Sequence, residues 1–200
     1  MSEFDSPKRP KRFDKATLYT IDDNYISSLK KLDYKVQNNY KGQRLYFKTD
    51  IEISDGIYQY VPLSSAKESQ KSINNKSVFK LYGDKEKEDF LGVIHINNMI
   101  PAPDFFVKEW SPQNKDLDER YMILVIKQAK YIKSHMNEID SSCLLLRNSK
   151  IGNIDPVYFK ENRNEIMLYK KITTDVHKLE DFSKKTTAEY QLSKKEFELE

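Results

Sequence analysis

Arg44-Leu45-Tyr46-Phe47-Lys48-Thr49-Asp50-Ile51-Glu52-Ile53 alternates with a period of two. Leu45, Phe47, Thr49, Ile51 and Ile53 fall on one side, and Arg44, Tyr46, Lys48, Asp50 and Glu52 on the other. That period is a half-buried antiparallel strand, because successive side chains point to opposite faces of a sheet. Asp55-Gly56 follows, a tight-turn pair, and Ile57 to Leu63 returns as the hairpin partner. Residues 44–63 therefore read as a β-hairpin.

Upstream, Leu18-Tyr19-Thr20-Ile21 reads as a short strand. Asp22 or Asp23 then caps a helix with Tyr25, Ile26, Leu29 and Leu32 at helical spacing. Residues 34–43 are polar and aromatic and are expected to form a loop. Downstream, residues 64–76 are rich in Ser, Lys and Asn, without an apolar period, and predict another loop. Ser77 to Tyr82 and Phe90 to Ile96 predict two strands joined by the charged linker Gly83 to Asp89. Asn97 to Pro103 is expected to end that run, with a short strand near Asp104 to Val107.

Then the period changes. Asp116 to Ile139 carries Leu117, Tyr121, Leu124, Val125, Gln128, Ile132 and Met136 on one helical face and predicts the longest helix. Residues 140–163 are mixed, with room for a short helix; Glu165 to Ile172 reads as a last strand. Asp175 to Lys195 predicts a terminal helix with Val176, Leu179, Phe182, Thr186 and Tyr190 on one stripe. The expectation is an α+β fold, a β-meander followed by helices. It makes one domain over residues 16–195, after a basic arm at 1–15 and before a tail at 196–200.

Composition excludes several classes. Hydrophobic residues make up 38% of 200, and mean hydropathy is −0.77, so the chain is polar. Its 13 Tyr, 10 Phe and one Trp are too many for a disordered chain. The longest clean apolar run, Met122 to Ile126, is far short of the roughly 20 residues a spanning helix needs. The N-terminus has Lys and Arg but no apolar core of a signal peptide, so the expected address is the cytoplasm, with no membrane partner. A single cysteine, Cys143, makes neither an intramolecular disulfide nor a cysteine zinc cluster and reads as a core residue. The net charge of +3 permits an acidic partner without demanding one. The arm holds Pro7-Lys8-Arg9-Pro10-Lys11-Arg12, which is either a phosphate-seeking tail or a solvated terminus.

His95, His135 and His177 lie far apart and match no metal-ligand spacing, so each reads as structural or surface. Acidic pairs such as Asp116/Asp118 and Glu138/Asp140 read as helix-end charges, and no phosphate-binding glycine motif is present. What remains is Pro62-Leu63-Ser64-Ser65-Ala66-Lys67, at the end of the hairpin. Two hydroxyls and an ammonium on a loop held by a rigid hairpin can grip a phosphodiester and offset its developing charge. Taken alone, Ser-Ser-x-Lys is also a common surface turn.

In register with its neighbours, that stretch resembles the ToxN/AbiQ family, the endoribonuclease toxins of bacterial type III toxin–antitoxin and phage-abortive systems. Leu18-Tyr19-Thr20-Ile21 and Asn24-Tyr25-Ile26-Ser27-Ser28-Leu29 are similar to the family's opening strand and Tyr-bearing helix. Tyr58-Gln59-Tyr60-Val61-Pro62-Leu63-Ser64-Ser65-Ala66-Lys67 resembles its hallmark hairpin end, with Ala66 at a usual proline. Leu91-Gly92-Val93-Ile94-His95-Ile96-Asn97-Asn98-Met99-Ile100-Pro101 resembles a later strand, and Val176 to Tyr190 the final helix.

The resemblance implies a small, strongly curved antiparallel barrel of the MazF/Kid kind, elaborated with helices. It implies RNA cleavage without a metal or other cofactor, leaving a 2′,3′-cyclic phosphate on a cellular or phage RNA. It implies inhibition by a small, repeated, pseudoknotted RNA antitoxin, which the toxin also processes and with which family members can assemble as closed rings. Carried over by position, Ser65 is the central hydroxyl, Ser64 its phosphate-holding neighbour, and Lys67 the cation or proton-transfer group. Arg44 matches a phosphate clamp, Tyr40 a stacking tyrosine, and Tyr25 the tyrosine of the first helix. Lys41, Lys48, Lys71, Lys76 and Lys80 are the expected RNA-backbone cations. Two other readings stay open: a catalytically silent RNA-binding module on the same fold, and an interaction protein whose only charged feature is its arm.

Overall fold

The hairpin forms as its alternation requires. In a computed structural model that describes residues 17–111 and 118–197, β2 (Tyr46–Ser54) turns at Asp55-Gly56 into β3 (Ile57–Ser65). Gly56 supplies a positive φ of 70° at the turn. Ahead of the hairpin lie β1 (Leu18–Ile21) and α1 (Asp23–Leu32), the helix capped by Asp22, whose carboxylate accepts from the Tyr25 N–H at 2.9 Å. After it come α2 (Glu68–Lys71), β4 (Val78–Tyr82), β5 (Phe90–His95), β6 (Ile100–Pro103) and β7 (Val107–Glu109). Five helices follow: α3 (Glu119–Ser134), α4 (Met136–Ile151), α5 (Pro156–Glu161), α6 (Arg163–Ile172) and α7 (Val176–Phe197). None of the described helices is long and apolar enough to cross a membrane.

All seven strands pair antiparallel, in the order β4-β5-β3-β2-β1-β7, with β6 on β3. The connections are not a meander, because β3 shares one edge between two partners. Ile57 to Tyr60 pair with β6, while Leu63 to Ser65 pair with β5. The sheet must bend where the partners change, at Val61 and Pro62. Leu63 N–H donates to Leu45 O on the β2 side at 2.8 Å, so the N–H that Pro62 lacks falls on the opposite edge, at the β6/β5 junction. Among the described residues the sheet stays open, with β4 and β7 at its ends.

The sheet is covered on both sides, which corrects the half-solvated reading of residues 44–53. Leu45, Phe47, Val61, Leu63, Ile94 and Met99 pack with Val125, Ile132, Ile139, Cys143 and Leu146 from α3 and α4. Tyr46, expected on the solvated side, is buried with Tyr25, Ile26, Leu29, Tyr60, Ile100 and Leu179 under α1 and α7. Each fully buried aliphatic side chain contributes about 1.5–3 kcal/mol, so covering both faces strengthens a short sheet.

Other expectations shift for local reasons. Ser64 and Ser65 belong to β3, and a turn of helix, α2, interrupts the predicted 64–76 loop. The strand β6 lies where the chain was expected to end a run; its Pro101 and Pro103 suit a strand bonded on one side only. Residues Asp104–Phe106 form a 3-10 turn, so the last strand starts at Val107. The predicted long helix is two helices broken at His135. Ser134 Oγ and His135 Nδ1 both bond Tyr131 O, at 2.8 Å each, and compete with the helical ladder. Asp116 and Leu117 lie outside the described residues. Residues 165–172 form α6, not a strand: Ile166 and Tyr169 share a buried face three residues apart, while Met167 and Leu168 are exposed.

Candidate active site

Where β3 leaves the sheet, a cavity of about 680 Å³ opens between the 34–44 loop, the end of β3, α2, β5 and α3. Four cationic side chains line it, Lys30, Lys35, Arg44 and Lys67, and none of its lining residues is a carboxylate. Tyr34, Tyr40, Tyr121, Ser64, Ser65, Gln70 and His95 are also in its wall.

The 34–44 loop is built to hold that wall. Tyr40, Lys41 and Gly42 take left-handed φ values of 50°, 59° and 77° in succession. A left-handed non-glycine residue costs roughly 1–2 kcal/mol, and such strain concentrates at functional sites. Asn39 anchors the turn: its Nδ2 donates to Ile21 O at 2.8 Å, and its backbone oxygen accepts from Gln43 and Arg44 N–H. The Tyr40 ring is left 62% exposed at the rim, with the Arg44 guanidinium 5.0 Å from its centroid. Arg44 itself is buried, its Nε donating to Asn38 O at 2.6 Å and its Nη1 to Leu63 O at 2.8 Å. It ties the loop to the serine strand. It also has donors left for an anion, since a guanidinium carries five.

Beside it runs a hydrogen-bonded chain. The Lys67 N–H donates to Gln70 Oε1 at 2.9 Å, which fixes the amide so that Gln70 Nε2 donates to Ser64 Oγ at 3.0 Å. Ser64 Oγ lies 2.9 Å from His95 Nε2, within hydrogen-bond reach. Burial, then the charges of Arg44 and Lys67, lower the His95 pKa to about 4, so the imidazole is neutral at pH 7, and in the tautomer protonated on Nδ1 its Nε2 accepts the Ser64 hydroxyl proton. Ser65 and Lys67 are exposed at the mouth.

Gly92 makes this approach possible. It pairs with Ser65 at φ +135°, and a Cβ there would stand 2.1 Å from Ser64 O. The Leu-Gly step of the sequence is thus a close passage of β5 behind the two serines.

Ser64, Ser65, Lys67, Arg44 and Tyr40 are brought together as expected. Tyr25 is not: it is buried in the second core, its hydroxyl donating to Pro101 O at 2.9 Å and sharing a 2.6 Å bond with Ser183 Oγ, its ring stacked on Phe106. It is a packing residue because α1 turns it inward under β6 and α7. None of the five expected RNA-backbone lysines lines the cavity. Lys41 is exposed on the strained turn. Lys48 lies over the Tyr58 ring at 3.5 Å and 3.4 Å from Asp104. Lys71 pairs with Glu68 at 3.1 Å, and Lys80 donates to Lys71 O and Asn74 Oδ1. Lys76 is exposed, its N–H bonded to Tyr169 OH at 3.0 Å. Lys30, Lys35, Gln70 and His95 were missed, since no spacing along the chain marks side chains that meet only when helix, loop and strand are folded together.

The model of the family described as toxin ToxN, type III toxin–antitoxin system, matches residues 17–184. The chain is 33% identical over 129 residues to endoribonuclease ToxN of Bacillus thuringiensis subsp. kurstaki, covering 63% of this chain and 64% of that one, just under two thirds of its length. It is 30% identical over 136 residues to endoribonuclease ToxN of Pectobacterium atrosepticum, covering 65% and 78%. It is 27% identical over 175 residues to endoribonuclease AbiQ of Lactococcus lactis subsp. lactis, covering 84% and 90%. A solved structure concerned with selective toxin inhibition by a non-coding RNA pseudoknot in type III systems superposes with TM-score 0.71 at 26% identity, over 86% of this chain and 97% of that one. One concerned with a processed non-coding RNA that regulates an antiviral system gives 0.66 at 25% identity, over 84% and 96%.

Proposed function

The chain belongs to the ToxN family of type III toxin–antitoxin toxins, and from that premise we propose that it is an endoribonuclease toxin whose active site is the cation-lined cavity at the end of β3. The observation that carries this reading is the charge of the cavity: Lys30, Lys35, Arg44 and Lys67 without a carboxylate, on a chain of net charge only +3. Such a concentration suits the phosphodiester backbone of a nucleic acid.

The reaction needs a nucleophile, a stabilised pentavalent phosphate and a protonated leaving oxygen. RNA supplies the nucleophile as its own 2′-hydroxyl, so neither serine need become covalent. Ser65 Oγ donates to a non-bridging phosphate oxygen, and Arg44 offers its remaining guanidinium donors to the same group. Lys67 offsets the developing charge and protonates the 5′-oxygen. Ser64 stands beside Ser65, bonded to Gln70 and His95, and Tyr40 offers a face for a neighbouring base. These cations supply the positive charge that a bound metal would otherwise provide, so cleavage runs in EDTA and leaves 2′,3′-cyclic phosphate and 5′-hydroxyl ends.

The same groove is the seat of an RNA antitoxin, a reading supported by the likeness to a structure concerned with selective toxin inhibition by a non-coding RNA pseudoknot, and the toxin acts in the cytoplasm, where its RNA substrates are. Residues 16–195 make the toxin domain. The sheet, bent at Val61 and Pro62, is the curved barrel of the MazF/Kid kind left unclosed.

Purified protein incubated with RNA in EDTA, with product ends mapped, tests the reading. Cyclic-phosphate ends support it. Tight RNA binding without cleavage, or 5′-phosphate products, overturns it in favour of a silent binding module or a different chemistry.

A further inference from the structure

Ser64 and Ser65 are neighbours with different surroundings. Ser65 is exposed, whereas Ser64 Oγ sits between Gln70 Nε2 at 3.0 Å and His95 Nε2 at 2.9 Å. Gln70 is buried, and its amide cannot turn over without breaking the bond from Lys67 N–H. With His95 protonated on Nδ1, the Ser64 hydroxyl receives a hydrogen bond from Gln70 and gives its proton to His95 Nε2. We propose that His95 is the proton acceptor of the cleavage reaction, taking up the proton of the RNA 2′-hydroxyl by way of Ser64 Oγ. The inference rests on the reading of the cavity as a ribonuclease site.

The step balances. The 2′-O–H bond breaks as its proton passes to Ser64 Oγ, and the Ser64 O–H bond breaks as its proton passes to His95 Nε2, which becomes imidazolium. The 2′-oxygen forms a bond to phosphorus, and the P–O5′ bond breaks with its electron pair on O5′. The Lys67 ammonium gives O5′ a proton. Exchange with water then removes the proton from His95 and restores that of Lys67.

The surroundings of His95 give the step its timing. The charged groups lining the shared cavity are Lys30 on α1, Lys35 in the following loop, Arg44 before β2 and Lys67 after β3. The other titratable groups there are Tyr34, Tyr40 and, on α3, Tyr121. On β4 the cross-strand neighbour is the neutral Val78. Burial and then Arg44 and Lys67 keep the imidazole uncharged. A phosphodiester brings negative charge against the same two cations and raises the basicity of His95 only when substrate is bound.

The test compares wild type, His95→Gln, Ser64→Ala and the double variant in single-turnover cleavage of a random-sequence single-stranded RNA pool, with affinity measured on its 2′-O-methyl counterpart. His95→Gln keeps a hydrogen-bond acceptor but no basic nitrogen. The expected result is a rate loss of about a hundredfold with unchanged affinity, disappearance of the acid limb of the pH–rate profile, and little further loss from adding Ser64→Ala. In wild type, the acid limb of the saturated rate lies at higher pH than that of the subsaturating rate. Should His95→Gln not fold, Ser64→Ala alone must abolish the acid limb. An unchanged rate and acid limb in either folded variant overturns the proposal while leaving the ribonuclease reading intact. A wild type that cuts no RNA overturns the ribonuclease reading itself.

Discussion

Gly92 shows how a single residue positions the serines. At φ +135° any side chain is strained, and the 2.1 Å approach of a Cβ to Ser64 O leaves no room. Gly92→Ala is expected to lose about 3 kcal/mol from strain and overpacking and to lower cleavage further than stability alone explains; a denaturant midpoint like wild type would contradict this. Arg44 makes the matching case for charge. Arg44→Lys keeps the charge but cannot reach both Asn38 O and Leu63 O. It should cost about 1.5–3 kcal/mol and loosen the 34–44 loop, read as faster amide exchange at Gln43 and Arg44. At this scale the sequence was legible where a motif is contiguous: Ser64, Ser65 and Lys67 sit together in the chain and in space. His95 and Gln70 were not legible, because one reaches Ser64 across a strand pair and the other across a turn of helix that composition reads as loop. Tyr25 misled for the converse reason: a tyrosine at helical spacing carries no mark of which neighbours its hydroxyl will meet.

Elements are joined by a few buried polar bonds as well as by apolar packing. Arg147 on α4 meets Glu180 on α7 with two bonds of 3.0 Å, and Gln59 on β3 donates to the same carboxylate at 3.1 Å. The Glu180 side chain is 7% exposed and that of Arg147 20%, so removing one partner strands a charge. Arg147→Ala should lose about 3–5 kcal/mol, and Arg147→Met, which fills the space without restoring the charge, should recover little of it; thermal melts of both variants decide this. The strand with a clean period of two, β2, was readable from the sequence, as was the short β-rich run of β1. Pairing order was not, since nothing local says that β5, paired with β4 on one edge, joins β3 on the other. The α6 segment was misread as a strand because its buried Ile166 and Tyr169 are too few to establish a period before neighbouring helices are placed. The break at His135 depends on two side chains capturing one carbonyl, a competition that periodicity does not register.

For the molecule as a whole, a small net charge conceals a strong local one. Four cations face one cavity, and carboxylates lie elsewhere, several paired with lysines outside it. If the cavity's cations meet backbone phosphates, the logarithm of RNA affinity should fall against the logarithm of salt with a slope of about −2 to −3, and Lys67→Ala should reduce that slope by about 0.7. A flat salt dependence would remove the electrostatic basis of the interface. The central claim is that the hydroxyl and cation at the end of β3 cut RNA, and the most direct measurement is the cleavage rate of folded Ser65→Ala in EDTA beside its affinity for uncleavable RNA. A rate lower by a hundredfold or more, in line with the loss of about 10²–10³ when one transition-state donor is removed, with affinity preserved, is the predicted result. Cleavage at the wild-type rate would contradict it and move the active site away from the two serines.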